Sequence, residues 1–368
     1  MTFLNHAHIG LDLTETRARA ASWKDVGSTA ARPFDGAHVL ELVALAERGT
    51  LDFVLFDDDF TLQASRNTTL RGRLDPALIA ARLGPRSRGI GLVASVGTRH
   101  TDPRDVAQAV ASIDRASGGR AAWQLGGTDV DQGDDVAAAV ASGGHRLDVA
   151  AEQVLRSWDR WDGAVPQPAL AGRGSYVDVE GIHFAASARG ATPPPPQGRP
   201  PIVVRLGAAG SLDVAARFAD VVRIRATGRA EAQARTAQVL DAVAGAGRDP
   251  RDVRVLVDAF VVLAADEASA RARLELVAEL DGVAGDAASL VHAGTAEDLA
   301  DLVGDWVESG AADGFTVRPA SLRTDLHELV EHTVPALRAA GLFRDFYPGT
   351  TLRDTLGLAG QEALAVSA

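Results

Sequence analysis

The chain has 368 residues, 46% of them apolar, and a formal net charge of −12; that is enough for one large α/β domain and the wrong sign for a nucleic-acid footprint. It contains no cysteine, which excludes disulfides, iron–sulfur clusters, thiolate zinc and thiol nucleophiles, and its single lysine, Lys24, excludes most Schiff-base and P-loop mechanisms. With no opening signal segment and no run of roughly 20 apolar residues, a cytoplasmic location away from membranes is expected.

In chain order, His6–Leu13 reads as strand one, followed by a polar loop to Gly36 and a helix His38–Arg48 that stops at Gly49. Leu51–Asp58 is strand two, Asp75–Leu83 a short helix with Pro76 in its first turn, and Ile90–Thr98 strand three. A helix Pro103–Ala116 closes on Gly118-Gly119 before strand four, Ala121–Gly127. Asp129–Gly144 is a Gly/Asp-rich insertion with little pattern, His145–Trp161 an amphipathic helix, and Asp162–Pro200 an irregular stretch ending in the polyproline run Pro193–Pro196. Strand five (Pro201–Arg205), helix Ser211–Phe218, strand six (Asp220–Arg225), helix Arg229–Ala246 and strand seven (Val253–Ala264) follow. Helices Asp266–Leu280 and Thr295–Ser309, strand eight (Gly314–Pro319) and helix Asp325–Ala339 complete the pattern.

Eight strand–helix units predict a single α/β domain, a (β/α)₈ TIM barrel, with insertions at about 129–144 and 162–200 and a C-terminal extension over 341–368. A doubly wound sheet would carry a glycine fingerprint after its first strand, and none is present. The apolar runs turn small and polar at their ends: Ile90–Thr98 does so within itself, Asp57–Asp59 closes Leu51–Phe56, and Gln124–Thr128 closes Ala121–Trp123. In parallel α/β folds the chemistry lies where the strands end.

At those ends the ordered set Leu51–Asp58, Gly91–Thr98 and Ser117–Gln124 resembles the bacterial-luciferase-like flavin monooxygenases. The branch is the one acting on nitrilotriacetate, dibenzothiophene sulfone and pristinamycin precursors; Pro194–Pro200, Asp313–Phe315, Val334–Phe343 and Thr351–Leu358 resemble it too. The resemblance implies an oxidoreductase that takes reduced, diffusible FMN from a separate NAD(P)H-dependent flavin reductase. It also implies O2, a flavin C4a-peroxide as oxidant, a small organic substrate and a homodimer.

Carried onto this chain, the resemblance puts Asp58 near the flavin and Ser95 and Thr98 against its ring; the bland readings are loop or cap bonding by the carboxylate and local backbone satisfaction by the hydroxyls. Asp57 and Asp59 are expected on other faces by alternation. Gln124 stands where relatives carry an asparagine facing the flavin, and Trp23 matches a tryptophan that would wall the substrate pocket or simply pack its loop. The phosphate loop is expected at Gly207, Ala208, Ala209, Gly210 and Ser211, where relatives show Ala-Gly-Ser-Ser; a tyrosine that relatives add is replaced by Leu147. Backbone N–H groups opening a helix, the Ser211 hydroxyl, and Arg205 or Arg225 are the remaining anion donors.

His100, just past strand three, is the candidate catalytic histidine; as a loop residue it also has an ordinary exposed reading. His145, opening the helix after the first insertion, is within reach of the phosphate in the same reading. His6 and His8 sit at the amino end of strand one and read as structural. His327 and His332 are five residues apart and share no helical face, so no metal is expected. Two alternatives stay open: an oxidoreductase using the deazaflavin F420, and a cofactor-free barrel acting as a partner subunit.

Overall fold

The computed structural model describes residues 6–14, 36–57, 74–98, 101–125, 136–159, 176–180, 185–189, 194–207, 210–281 and 288–358. Eight parallel strands close on themselves: β1 (His8–Asp12), β2 (Phe53–Phe56), β3 (Gly91–Val96), β4 (Ala121–Leu125), β7 (Ile202–Arg205), β8 (Val221–Ile224), β9 (Arg254–Leu263) and β11 (Gly314–Pro319). Closure is made by β9, which pairs with β8 through Arg254–Val257 and with β11 through Leu256–Val261. This is the (β/α)₈ barrel expected from the eight apolar runs.

The helices that cover it are α1 (Gly36–Arg48), α2 (Pro76–Leu83), α3 (Pro103–Ser117), α4 (Val136–Asp159), α5 (Ser211–Phe218), α6 (Arg229–Gly245), α7 (Glu267–Asp281) and α8 (Ala296–Glu308). Their starts and stops follow local chemistry. Asp102 accepts from the Arg104 N–H to cap α3, Pro103 occupies its first turn, and Gly118 ends it at φ 71°, a left-handed conformation that glycine adopts without strain. Thr295 and Asp298 form a reciprocal capping box on α8.

Four features depart from the reading above. The stretch 129–144 is helical from Val136 onward, because the Ala-rich run Val136–Ser142 carries α4 through Gly143-Gly144. The 162–200 segment holds an antiparallel hairpin, β5 (Tyr176–Glu180) and β6 (Ala185–Arg189), whose five-residue strands are too short for a clear period. A ninth parallel strand, β10 (Leu290–Gly294), pairs with Ala259–Leu263 of β9 and branches off the barrel. The last helix is interrupted: α9 (Thr324–Glu328) passes through a π-turn at Leu329–Thr333 before α10 (Val334–Ala339), and Pro335, lacking an N–H, sits just after the break.

The strands are buried on both faces. One face, including Ile9, Val54, Leu92, Trp123, Val204 and Val222, packs with helix residues such as Leu42, Ile79 and Val110 in the main core. The other face fills the barrel with Phe53, Leu55, Val93, Ala122, Val203, Val221 and Leu256. Gly10 belongs to that inner face, where an added Cβ would lie 2.3 Å from the Phe53 ring. Leu352 and Leu356, on or just after α11 (Leu352–Thr355), join Leu358 in the same inner cluster, so the C-terminal segment plugs the barrel. Arg254 donates to the Leu356 and Gly357 carbonyls at 2.9 and 2.7 Å, and Arg353 reaches Asp220 at 3.0 Å, tying the plug to the amino ends of β8 and β9.

Candidate active site

Following the inner face toward the carboxyl ends of the strands, aliphatic side chains give way to charge. Asp12 ends β1, Asp57 follows β2, Ser95 and Gln124 are register partners on β3 and β4, and Arg205 pairs in register with Arg223 on β8. Thr316 of β11 stands beside Asp258 of β9, and Arg318 lies one step further on.

Arg223 is the hub of this layer and is 1% exposed. Its Nε donates to Asp258 Oδ1 at 2.8 Å, Nη1 to Gln124 Oε1 at 2.9 Å, and Nη2 to Asp12 Oδ2 at 3.2 Å. Asp57 Oδ2 lies 3.9 Å from Nη1. Arg205 Nε donates to the second Asp258 oxygen at 3.0 Å, and Arg318 Nη2 to Asp12 Oδ2 at 3.3 Å. The Thr14 N–H donates to Asp12 at 2.9 Å, and the Thr14 hydroxyl oxygen accepts from the Asp57 N–H at 2.9 Å.

Two neighbouring carboxyls respond to this environment in opposite ways. Burial pushes Asp12 up, but Arg318 and Arg223 outweigh it and hold the carboxyl well below the ordinary carboxylate range. Burial also pushes Asp57 up; Arg223 opposes this, the negative charge of Asp12 reinforces it, and the net direction is upward despite a hydrogen bond with Gln124. Arg223 loses solvation too, and Asp258 and Asp12 more than restore its charge.

A small cavity of about 20 Å³, open on one side, is lined by Arg205, Arg318, Thr316, Ser289 and Phe260 together with the ion-paired groups. An added Cβ at Gly97, just past β3, would meet none of the described residues within 4 Å. The third component is the loop after β7. Gly210 caps α5 at φ 79°, Ser211 opens the helix, and the Ser211 hydroxyl oxygen accepts from the Gly207 N–H at 3.3 Å. A Cβ on Gly207 would come within 2.8 Å of Arg225 Nη2, which places that guanidinium against the loop.

The fold thus brings Ser95, Gln124 and Thr98 to the strand ends, with Gly207, Gly210 and Ser211 at the neighbouring loop. Gln124 is buried, its carbonyl engaged by Arg223. Leu147 lies half-buried on α4 against the main core. Asp58, His100, Trp23, Ala208 and Ala209 lie outside the described residues, as does the side chain of His145. One orientation is corrected: Asp57 does not leave the inner face. Phe53 and Leu55 set the phase of β2, and Asp57 continues it toward Arg223. Asp12, Arg223, Asp258, Thr316 and Arg318 were not singled out from the sequence. Their signal was a charged or hydroxyl residue inside an otherwise apolar strand, as in Val221-Val-Arg-Ile224 and Val255-Leu-Val-Asp-Ala-Phe260. Among the described residues no group of three or more His, Asp or Glu is placed to hold a metal ion.

A closed (β/α)₈ barrel whose polar groups gather at the carboxyl ends of its strands defines the TIM-barrel class of enzyme. The model of the luciferase-like monooxygenase family matches residues 16–320, and the chain belongs to that family, whose members are flavin-dependent oxidoreductases that use O2. It is 25% identical to the N-acetyl-S-(2-succino)cysteine monooxygenase of Bacillus subtilis, with 95% of this chain and 96% of that protein aligned. To nitrilotriacetate monooxygenase component A of Aminobacter aminovorans it is 27% identical, over 92% of this chain and 93% of that one. The EDTA monooxygenase of Chelativorans sp. BNC1 has the same fold, with a TM-score of 0.82 at 23% identity over 96% of this chain and 98% of the other.

Proposed function

We propose that the chain is the oxygenase component of a two-component system. In this reading it binds reduced FMN delivered by a separate NAD(P)H-dependent flavin reductase and uses it with O2 to oxygenate a small organic substrate. The observation that carries the reading is the loop after β7: Gly207, the Gly210 cap, the Ser211 hydroxyl and the Arg225 guanidinium at the amino end of α5. That donor set fits a phosphate monoester, since a helix amino end, a hydroxyl and a guanidinium each favour an anion. The relative named as component A of nitrilotriacetate monooxygenase supports a partnered reductase.

In this assignment Gly207, Ala208, Ala209, Gly210 and Ser211 hold the phosphate, and Ser95, Thr98 and Asp58 border the ring beside Gly97. Bound reduced flavin supplies the activation of O2. The protein's own contribution is to fix the ring, exclude water and supply protons. Gln124, held between Arg223 and Asp57, is a rigid amide at the barrel floor. Burial and the neighbouring Asp12 charge make the Asp57 carboxyl hold a proton more tightly than an ordinary aspartate does. His100 is assigned to proton handling at the mouth and Trp23 to the substrate wall. The working unit in this reading is a cytoplasmic homodimer.

Anaerobic titration calorimetry with reduced FMN tests the proposal, with reduced F420 as comparator. Micromolar binding of reduced FMN in preference to F420 is the expected result. Preference for F420 would replace oxygenation by hydride transfer, and failure to bind either would make the chain a cofactor-free partner subunit.

A further inference from the structure

Phe315 and Val317 of β11 turn outward into the main core, so Thr316 between them faces the inside of the barrel. Thr316 is 1% exposed, and its Oγ1 has no hydrogen-bond partner among the described residues. The strands on either side account for this. Register sets Thr316 beside Gly10 on β1 and Asp258 on β9. Gly10 has no side chain to offer, and the Phe53 ring fills the space that one would need, 2.3 Å from an added Cβ. Asp258 Oδ1 accepts from Arg223 Nε at 2.8 Å and Oδ2 from Arg205 Nε at 3.0 Å, and neither oxygen meets the Thr316 hydroxyl. A buried hydroxyl is ordinarily paired.

A second observation lies beside it. The space of about 20 Å³ that Thr316 lines is bounded also by Asp258, Asp12, Arg223 and Ser289, with Ala259 and Phe260 as apolar wall. One water molecule needs roughly 10–15 Å³ of such space and about two to four polar partners. The volume therefore matches a single water and is too small for an organic group. The partners are present as well. Each carboxylate oxygen offers two acceptor positions, so the Asp258 oxygens can each accept one more hydrogen beside the guanidinium N–H they already hold.

We infer that this cavity is a single-water site: one ordered water accepts from the Thr316 hydroxyl and donates to the Asp258 carboxylate. The water spans a gap between β11 and β9 that no direct bond from the Thr316 hydroxyl crosses. It makes Thr316 a positioning residue for Asp258 and, through Asp258, for the Arg223 guanidinium. A bridging water is enthalpically nearly as good as a direct hydrogen bond, so the layer keeps a polar side chain buried on β11 without stranding it. The open side of the cavity lets this water exchange with solvent, whereas Arg223 behind it is 1% exposed. The site stands apart from the flavin assignment, because neither Thr316 nor Asp258 belongs to the Gly207–Ser211 loop.

The test combines high-resolution crystal structures with denaturant titration of wild type, Thr316→Val and Thr316→Ser. Thr316→Val keeps the side-chain shape and removes the hydroxyl; Thr316→Ser keeps the hydroxyl and removes the methyl. The two accounts of the hydroxyl predict opposite signs. A bare buried hydroxyl is a liability, so Thr316→Val would then fold as stably as wild type or more so. A hydroxyl paired through water contributes a net hydrogen bond, so Thr316→Val is expected to lower the folding equilibrium constant about two- to tenfold. Wild type and Thr316→Ser are expected to show a water oxygen within hydrogen-bond distance of the hydroxyl and of Asp258, and Thr316→Val to lose it. A Thr316→Val variant at least as stable as wild type overturns the site. So does wild-type density without that water, or the same water retained at full occupancy in Thr316→Val, since Thr316 would then not be what holds it.

Discussion

Arg223 Nε and Asp258 Oδ1 meet at 2.8 Å across two adjacent strands of the barrel, and every other charge in the upper layer is organised around that pair. A buried ion pair adds little net stability over apolar packing, but breaking one strands its partner. Arg223→Met would leave Asp12 and Asp258 with one guanidinium each. We expect unfolding free energy to fall by about 3–5 kcal/mol. Arg223→Lys should recover only part, since one ammonium lacks the fork that reaches Asp258, Gln124 and Asp12 together. Denaturant titration of the three proteins decides it; equal stabilities would remove Arg223 from its place as hub.

The barrel was legible because most of its strands are runs of Val, Ile, Leu, Ala or Phe that stop in small or charged residues. What the sequence did not disclose follows from the same property. When both faces of a strand are apolar, the phase of alternation is invisible, so Asp57 and Asp58 could not be told apart by side. Arg223 and Asp258 look like interruptions in two separate strands 35 residues apart, and only the parallel pairing of β8 with β9 makes them neighbours. Leu290–Gly294 was missed because His292 and Gly294 dilute a five-residue strand that rests on one neighbour instead of two. The Gly207–Ser211 loop was found because its glycines and serine precede a helix, a local signal that needs no tertiary context.

The C-terminal plug makes a second prediction. Leu356 is 1% exposed among Phe53, Leu55 and Val221 at the end of the barrel away from the Gly207–Ser211 loop. Leu356→Ala should cost about 2–5 kcal/mol of stability through the cavity it leaves. Measured well below the unfolding transition, reduced FMN affinity should not change. A loss of affinity without a loss of stability would mean that the plug communicates with the mouth.

Asp114 supplies a pH test. Its carboxyl accepts from the Ala121 N–H at 3.1 Å, the Gln197 N–H at 3.1 Å and Gln197 Nε2 at 2.6 Å, yet burial still pushes it up to about 6. The folded chain therefore holds this proton more tightly than the unfolded chain does. Stability from the protonated group is fully present below an unfolded value of about 4 and is lost as pH rises through about 6. Asp114→Asn cannot ionise, so the stability of wild type relative to the variant should decline by on the order of 1–3 kcal/mol between pH 4 and pH 7. Parallel pH profiles for the two proteins would contradict the shift.

The central claim is that reduced flavin is held by the loop that opens α5, and Arg225 is the charge placed against that loop. The most direct measurement is the anaerobic dissociation constant of reduced FMN for wild type and for Arg225→Ala. Losing a hydrogen bond to a charged group is worth about 1.5–3 kcal/mol, so we predict weakening of roughly tenfold to 150-fold. An unchanged constant would contradict the assignment of the phosphate to this loop.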